Sequence, residues 1–207
     1  KNKLKNSNAE DYVGNCEHRL FWLNNLYSKK EKFSSVSLYS KLLSPKNDIF
    51  NSQEIIAPQP IIFKNKSLFK DFEEIHEKNI LQDVISFLPK EEHYHFKRHL
   101  EKNTLHIGPM FITKKKYFEE YCELIFPWVD QCLKYCLSKK LCHGYNVRLP
   151  VFLAERFTSY WISKFKKKTT LSYARLGNVH LSNKLNTFVN TMKFPFTFHQ
   201  YPTIYQY

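Results

Sequence analysis

Apolar side chains recur at three- and four-residue spacing through Phe69, Phe72 and Ile75, then Leu81, Val84, Ile85 and Leu88, which predicts helix over Ser67 to Leu88. The same period runs from Lys116 to Cys136 through Tyr117/Phe118, Tyr121/Cys122, Ile125, Trp128/Val129, Cys132/Leu133 and Cys136. Pro127 is expected to kink that helix or divide it in two. A third helix is predicted over Arg148 to Lys164, with Leu153, Phe157, Tyr160 and Trp161 as its buried stripe and Pro150 in the first turn, where proline is tolerated. Glu91 to Lys102 reads as a His-rich helix. Shorter apolar runs predict strands. Leu105 to Ile112 is one, broken at Gly108-Pro109, where it should bend beside a cleft. Tyr12-Val13 ends another, with Gly14 marking a close backbone approach. Glu54 to Phe63 is an interrupted strand whose prolines suggest an edge or rim. Lys1 to Glu10 reads as a polar lead-in, and Asn24 to Asn51 as a long loop with a short helix near Leu38 to Leu43. Helix and strand in this mixture point to an α/β domain over residues 1–168, followed by an aromatic, basic tail over 169–207 packed on the domain or on a partner.

Composition narrows the function. An apolar fraction of 43% and an aromatic fraction of 16% suit a folded core. Four glycines, with no Walker or Rossmann fingerprint, exclude the usual glycine-rich phosphate loops. The formal net charge of +13 favours an anionic partner: nucleic acid, an acidic membrane surface or a phosphorylated ligand. A solubilising Lys-rich surface would carry the same charge. Five cysteines without framework spacing favour a reducing compartment.

Several groups have the chemistry of a site. Glu155 lies at the boundary of its helix's apolar stripe, beside Arg156 and two turns after Arg148. Unpaired, a half-buried carboxylate there has the raised pKa of a general base. Paired with Arg148 or Arg156, it is a structural ion-pair member. Cys16, Glu17, His18 and Arg19 crowd ionisable groups at the end of a predicted strand, where α/β folds bind ligands. His95 and His99, four apart, fit one face of a helix and so a metal site, but no third ligand accompanies them. Cys132, Cys136 and Cys142 match no common zinc spacing and read as core thiols. Lys164 to Lys168 is a basic run suited to solvent, a membrane surface or a diphosphate.

Three blocks, in order, resemble a bacterial glycosyltransferase domain family of capsular polysaccharide and lipooligosaccharide gene clusters, catalogued as domain of unknown function 4422. The first is Gly14-Asn15-Cys16-Glu17-His18-Arg19-Leu20-Phe21-Trp22, similar to the family's Gly-Leu-Cys-His-Tyr-Arg-Arg-Tyr-Phe. The second is Pro109-Met110-Phe111-Ile112 with Tyr121-Cys122-Glu123-Leu124-Ile125-Phe126, and the third is Arg148-Leu149-Pro150-Val151-Phe152-Leu153-Ala154-Glu155-Arg156. Gly14, Cys16 and Arg19 keep the family's residues in the first block, whereas Glu17, His18 and Leu20 depart from them.

The resemblance implies a GT-A-like, mostly parallel twisted sheet flanked by helices, with its N-terminal nucleotide-binding part expected to be missing. It implies a nucleotide-sugar-dependent transferase that is cytoplasmic or peripheral to the inner membrane. The donor would be a nucleoside-diphosphate sugar and the acceptor a glycan or lipid-linked glycan, with peripheral contact to an anionic membrane and no call for nucleic acid. On the same footing Glu155 is the general base, and Glu17, His18 and Arg19 form the donor diphosphate or metal region. Gly108, Pro109, Met110, Arg148 and Arg156 line the acceptor cleft. No Asp-x-Asp motif is present, so a divalent ion, magnesium or manganese, stays open. Two other readings remain beside it: a basic nucleic-acid-binding module, and a catalytically inert interaction domain of the same fold.

Overall fold

The computed structural model of the protein describes residues 8–15, 20–24, 42–171 and 173–175. Its strands are β1 (Tyr12–Asn15), β2 (Leu20–Trp22), β3 (Ile55–Pro58), β4 (Ile61–Ile62), β5 (Thr104–Leu105), β6 (Phe111–Lys114), β7 (Lys168–Leu171) and β8 (Tyr173–Arg175). Its helices are α1 (Ile49–Ser52), α2 (Leu68–Ile75), α3 (Ile80–Ile85), α4 (Lys90–Leu100), α5 (Lys115–Ser138) and α6 (Leu149–Ser163), with a 3-10 turn at Gly144–Arg148 before α6. The fold is α/β, a sheet flanked by helices. Four strands pair in the order β1-β6-β3-β7, while β2 pairs with β8 and β4 with β5. Strand directions are mixed where a mostly parallel sheet is implied by the resemblance. β6 runs antiparallel to both β1 and β3, and β3 and β7 form the parallel pair.

β3 is buried along its whole length, as a strand covered on both faces must be. It lies between β6 and β7, not at the edge its prolines suggested. Its pairing with β6 involves Ile55 and Ile56 and stops before Pro58, so the β6 ladder never requires the N–H that proline lacks. The predicted helix over Ser67 to Leu88 is two helices. The first ends where His76 turns to extended backbone, and Asn79, at φ 66 in a left-handed conformation that asparagine tolerates, stands at the start of the second. By contrast, α5 continues through Pro127 as one helix. Its buried face, Tyr121, Ile125, Trp128, Cys132 and Cys136, spans both halves. Trp128 Nε1 also donates to the Val84 carbonyl at 2.8 Å, pinning the turn that follows the proline. Cys132 and Cys136 are core thiols. The short helix expected near Leu38 to Leu43 falls mostly outside the described residues, and Leu42 there bridges to Leu23.

α6 is the core helix. Ten of its residues are buried, including Leu149, Leu153, Phe157, Trp161 and Ile162, so it is covered nearly all round. Phe157 packs against Trp128 at 5.2 Å and Phe96 at 5.7 Å, while Trp161 meets Phe111 of β6 at 4.9 Å. Tyr117 of α5 meets Phe165 just beyond α6, whereas Trp128 meets Phe157, so α5 and α6 run antiparallel.

Two histidines are buried with the core. His106 donates from Nδ1 to the Pro58 carbonyl at 2.8 Å, which fixes its neutral tautomer, and its backbone N–H donates to Ser159 Oγ at 3.0 Å. Burial pushes its pKa down to about 4. His99 packs on Tyr160 with neither ring nitrogen hydrogen-bonded among the described residues, and burial, with Lys102 nearby, takes it down to about 3. His99 faces the core while His95 is exposed, so the two do not converge. Below the unfolded-state value of about 6.5 the unfolded chain takes up protons that the folded one refuses. Stability is therefore full above about pH 6.5 and falls as the pH drops toward about 4, by up to about 1.4 kcal/mol per pH unit for each histidine. Urea unfolding at graded pH should show that slope in the native chain and a shallower one in His99→Phe.

Candidate functional site

Glu155 stands in the second turn of α6, one side of which carries Arg148, Val151, Phe152 and Glu155 at helical spacing. Across from it the chain between β5 and β6 breaks at Gly108-Pro109, as expected. Gly108 takes φ 71, a left-handed conformation that suits glycine, and this turns its N–H toward the helix. That N–H donates to Glu155 Oε1 at 2.7 Å. The other oxygen, Oε2, accepts from Arg156 Nη1 at 3.1 Å. The side chain keeps 12% of its surface accessible.

Arg156 is a fork. Its Nη2 donates to Asp71 Oδ2 at 2.7 Å, and the guanidinium lies over the Phe72 ring at 5.7 Å. Asp71 is fully buried on α2, and its Oδ1 faces Lys66 Nζ at 2.8 Å. Lys66 in turn reaches Glu74 at 3.1 Å. Burial works against the charge on Lys66, but its hydrogen bonds to Asp71 and Glu74 outweigh that and hold its pKa above the usual lysine value. Glu155, Arg156, Asp71, Lys66 and Glu74 thus form one alternating chain of three anions and two cations, net charge −1.

Asn15, the last residue of β1, clamps that strand to the same bend. Its side-chain amide donates to the Pro109 carbonyl, and its Oδ1 accepts from Phe111 N–H at 2.9 Å. Glu17, His18 and Arg19, expected at the donor diphosphate, lie outside the described residues. The chain leading to them departs from Asn15, which is bonded to the residues beside Gly108.

The expected cleft residues separate. Gly108 holds Glu155 through its backbone, and Pro109 is partly accessible. Met110 is fully buried and belongs to the core, with no surface to offer a ligand. Arg156 is buried beneath Glu155, where it positions the carboxylate. Arg148 is exposed, and its guanidinium lies 5.4 Å from the Phe152 ring centre instead of bonding Glu155.

Beside Arg148 an unforeseen stack of rings joins α2 to α6. His76 lies 5.9 Å from Tyr145 with planes 7° apart and 4.7 Å from Phe152 at 29°. Tyr145 and Phe152 are 5.2 Å apart. His76 Nδ1 donates to Asn146 Oδ1 at 2.8 Å, and burial lowers its pKa. Among the described residues no three His, Cys, Asp or Glu side chains converge on a point where a metal ion fits. Nor is any described helix long and apolar enough to cross a bilayer. Lys164, in the basic run after α6, pairs with Glu92 at 2.7 Å.

Sequence reasoning found Glu155 and its Arg156 partner but missed Asp71, Lys66 and Asn15. Asp71 had one legible signal: it sits between Leu68 and Phe72 on the apolar stripe of α2, where an acid must find a cation.

A family model described as "Domain of unknown function (DUF4422)" matches residues 3–168. No curated protein matches significantly. Among solved structures, the apo structure of WbbM, a bifunctional glycosyltransferase, superposes with a TM-score of 0.57 at 16% identity. The match covers 84% of this chain and 35% of that one. At that identity the likeness is one of fold, and the chain spans about a third of the neighbour's length.

Removing one partner of a buried ion pair leaves the other charge uncompensated, at a cost of about 3–5 kcal/mol. Arg156→Met and Asp71→Leu should each lose about that much in urea unfolding. The double variant should recover most of it, because no buried charge of the pair is then stranded.

Proposed function

The chain belongs to the family described as domain of unknown function DUF4422, and from that membership and the setting of Glu155 we propose that it is a glycosyltransferase. The donor is a nucleoside-diphosphate sugar, the acceptor is a hydroxyl of a bacterial surface glycan such as capsule or lipooligosaccharide, and Glu155 is the general base. The observation that carries this reading is the way Glu155 is held. A carboxylate bonded to an arginine alone is an ion pair with its basicity spent. Here Asp71 draws on the same guanidinium, so Glu155 is oriented while the cluster as a whole stays anionic.

In the proposed reaction Glu155 accepts the proton of the acceptor hydroxyl as that oxygen bonds to the anomeric carbon. The bond from that carbon to the diphosphate breaks, and the nucleoside diphosphate departs with the electron pair. The Gly108 N–H and Arg156 fix the direction of the carboxylate, the ordering that makes a positioned base effective. Arg19 would offset charge on the leaving diphosphate. Its segment starts at Asn15, whose bonds to Pro109 and Phe111 bring that end of the chain to the same bend as Glu155.

A non-catalytic interaction domain would use Glu155 as a structural partner, and one substitution separates the readings. Glu155→Gln keeps one oxygen, enough for either the Gly108 N–H or Arg156 but not both, and cannot take a proton. With a panel of nucleoside-diphosphate sugars and a glycan acceptor, release of nucleoside diphosphate should fall about 10²–10⁴-fold. Stability should fall by about 1–3 kcal/mol, the loss of one hydrogen bond to a charged group, which leaves the chain folded. Turnover near that of the native chain would remove Glu155 as the base.

A further inference from the structure

We propose that the connection between α5 and α6, from Leu137 to Val151, is a docking surface for an anionic lipid bilayer. Scattered exposed apolar residues are ordinary on any protein. Here four large ones gather in one short segment: Leu137 is 57% exposed, Tyr145 62%, Val147 63% and Val151 46%. They alternate with exposed cations. Lys139, Lys140 and Arg148 lie in the same segment, and among the described residues none of the three is ion-paired to a carboxylate. Between Asp130 and Glu155 the sequence contains no acidic residue.

This is the chemistry of a bilayer interface. Aromatic and aliphatic side chains enter at headgroup level, and lysine and arginine stay with the lipid phosphates. Tyrosine suits that depth, having an apolar ring and a polar tip. The segment is also held firmly. Tyr145 is stacked on His76 and Phe152, and Asn146 is hydrogen-bonded to His76, so the exposed ring is presented without first having to be ordered. Nucleic acid would leave the aliphatic tips without a partner, and seating of a second copy is an outcome the test below distinguishes.

The inference deepens the transferase reading and in that part rests on it. Val151 and Arg148 lie one and two turns before Glu155 on one side of α6. A bilayer seated on the connection would therefore bring the headgroup end of a lipid-linked acceptor to the carboxylate. Vesicle binding itself needs no transfer activity.

The test is co-sedimentation of the full chain with phosphatidylglycerol-containing vesicles, against vesicles of phosphatidylcholine alone. The anionic vesicles should be bound, and less so at high salt. Lys139→Gln with Lys140→Gln should weaken binding about 25-fold, at about fivefold per charge. Val147→Asp, at an exposed position that burdens the fold least, should weaken it further. Removing the same charge elsewhere, with Lys64→Gln and Lys90→Gln, should leave binding within about twofold, since the attraction fades within a Debye length. Absence of vesicle binding, equal loss in both lysine pairs, or a self-associated chain that Val147→Asp makes monomeric would each overturn the proposal. Vesicle binding by a chain inert toward every sugar nucleotide would keep the docking surface and remove the transferase reading. Transfer to a soluble acceptor without vesicle binding would do the reverse.

Discussion

The buried Arg156–Asp71 pair is the constraint on which the site depends. Neither charge reaches water, and an unpaired ion of either sign would be intolerable there. α2 and α6, whose residues are 85 positions apart in sequence, are therefore tied at one point and in one register. The tie has no slack. Arg156 has a flat, rigid fork, so one amino group on Asp71 fixes where the other points, and it points at Glu155. A lysine at this position would supply the charge without the direction. Such a pair adds little to stability over an apolar replacement. Its physical consequence is geometric: the carboxylate at the surface is aimed from below by a group that cannot turn away.

The same economy governs the bend opposite. Gly108 donates its N–H to Glu155, its positive φ turns the chain at that point, and Pro109 stiffens the turn that follows. Asn15 then bonds both sides of that bend, to Pro109 and to Phe111, so the exit of β1 is set by the same few residues. One carboxylate, one glycine and one asparagine bring α6, the β5–β6 bend and the end of β1 together.

Much of this was legible in the chain and some was not, for physical reasons. The stripe of α6, the break at Gly108-Pro109 and the neighbouring Arg156 are local signals, and periodicity reads local signals well. The block Arg148 to Arg156 pointed at Glu155 through resemblance, where periodicity alone favoured an ion pair; the structure has that pair and gives it a second acid. Asp71 was illegible as a partner because nothing local links α2 to α6. Met110 was placed at the cleft through the resemblance, and its complete burial is set by packing that no local signal reports. Pro58 misled, since a rule about lost hydrogen bonds says nothing of whether a neighbouring ladder makes the loss bearable, and Pro127 does not divide α5, whose buried face runs through it. The ring stack of His76, Tyr145 and Phe152 required knowing that the connection before α6 folds back onto α2.

Charge is not spread evenly over this basic chain. α5 mixes Lys115 and Lys116 with Glu119, Glu120 and Glu123 near its start and has no acid after Asp130, while Lys134, Lys139 and Lys140 crowd its far end. Near that start a hollow of about 450 Å³ is lined by Glu54, Glu92, Glu120 and Glu123 and also by Lys164 and Lys166, together with Tyr117, Trp161 and Phe165. That hollow sits at the start of β3 and the end of α6, whereas Glu155 lies toward the other end of each, where His106 reaches the Pro58 carbonyl. Nine residues of helix separate Glu155 from Lys164, about 13 Å. An anion thus meets mixed charge at one end of the domain and uncompensated cations at the other. An anionic diphosphate donor and a phosphate-bearing lipid acceptor would both be steered to the end that holds Glu155. Net charge alone could not say so, because +13 describes the sum and the steering comes from its segregation along α5.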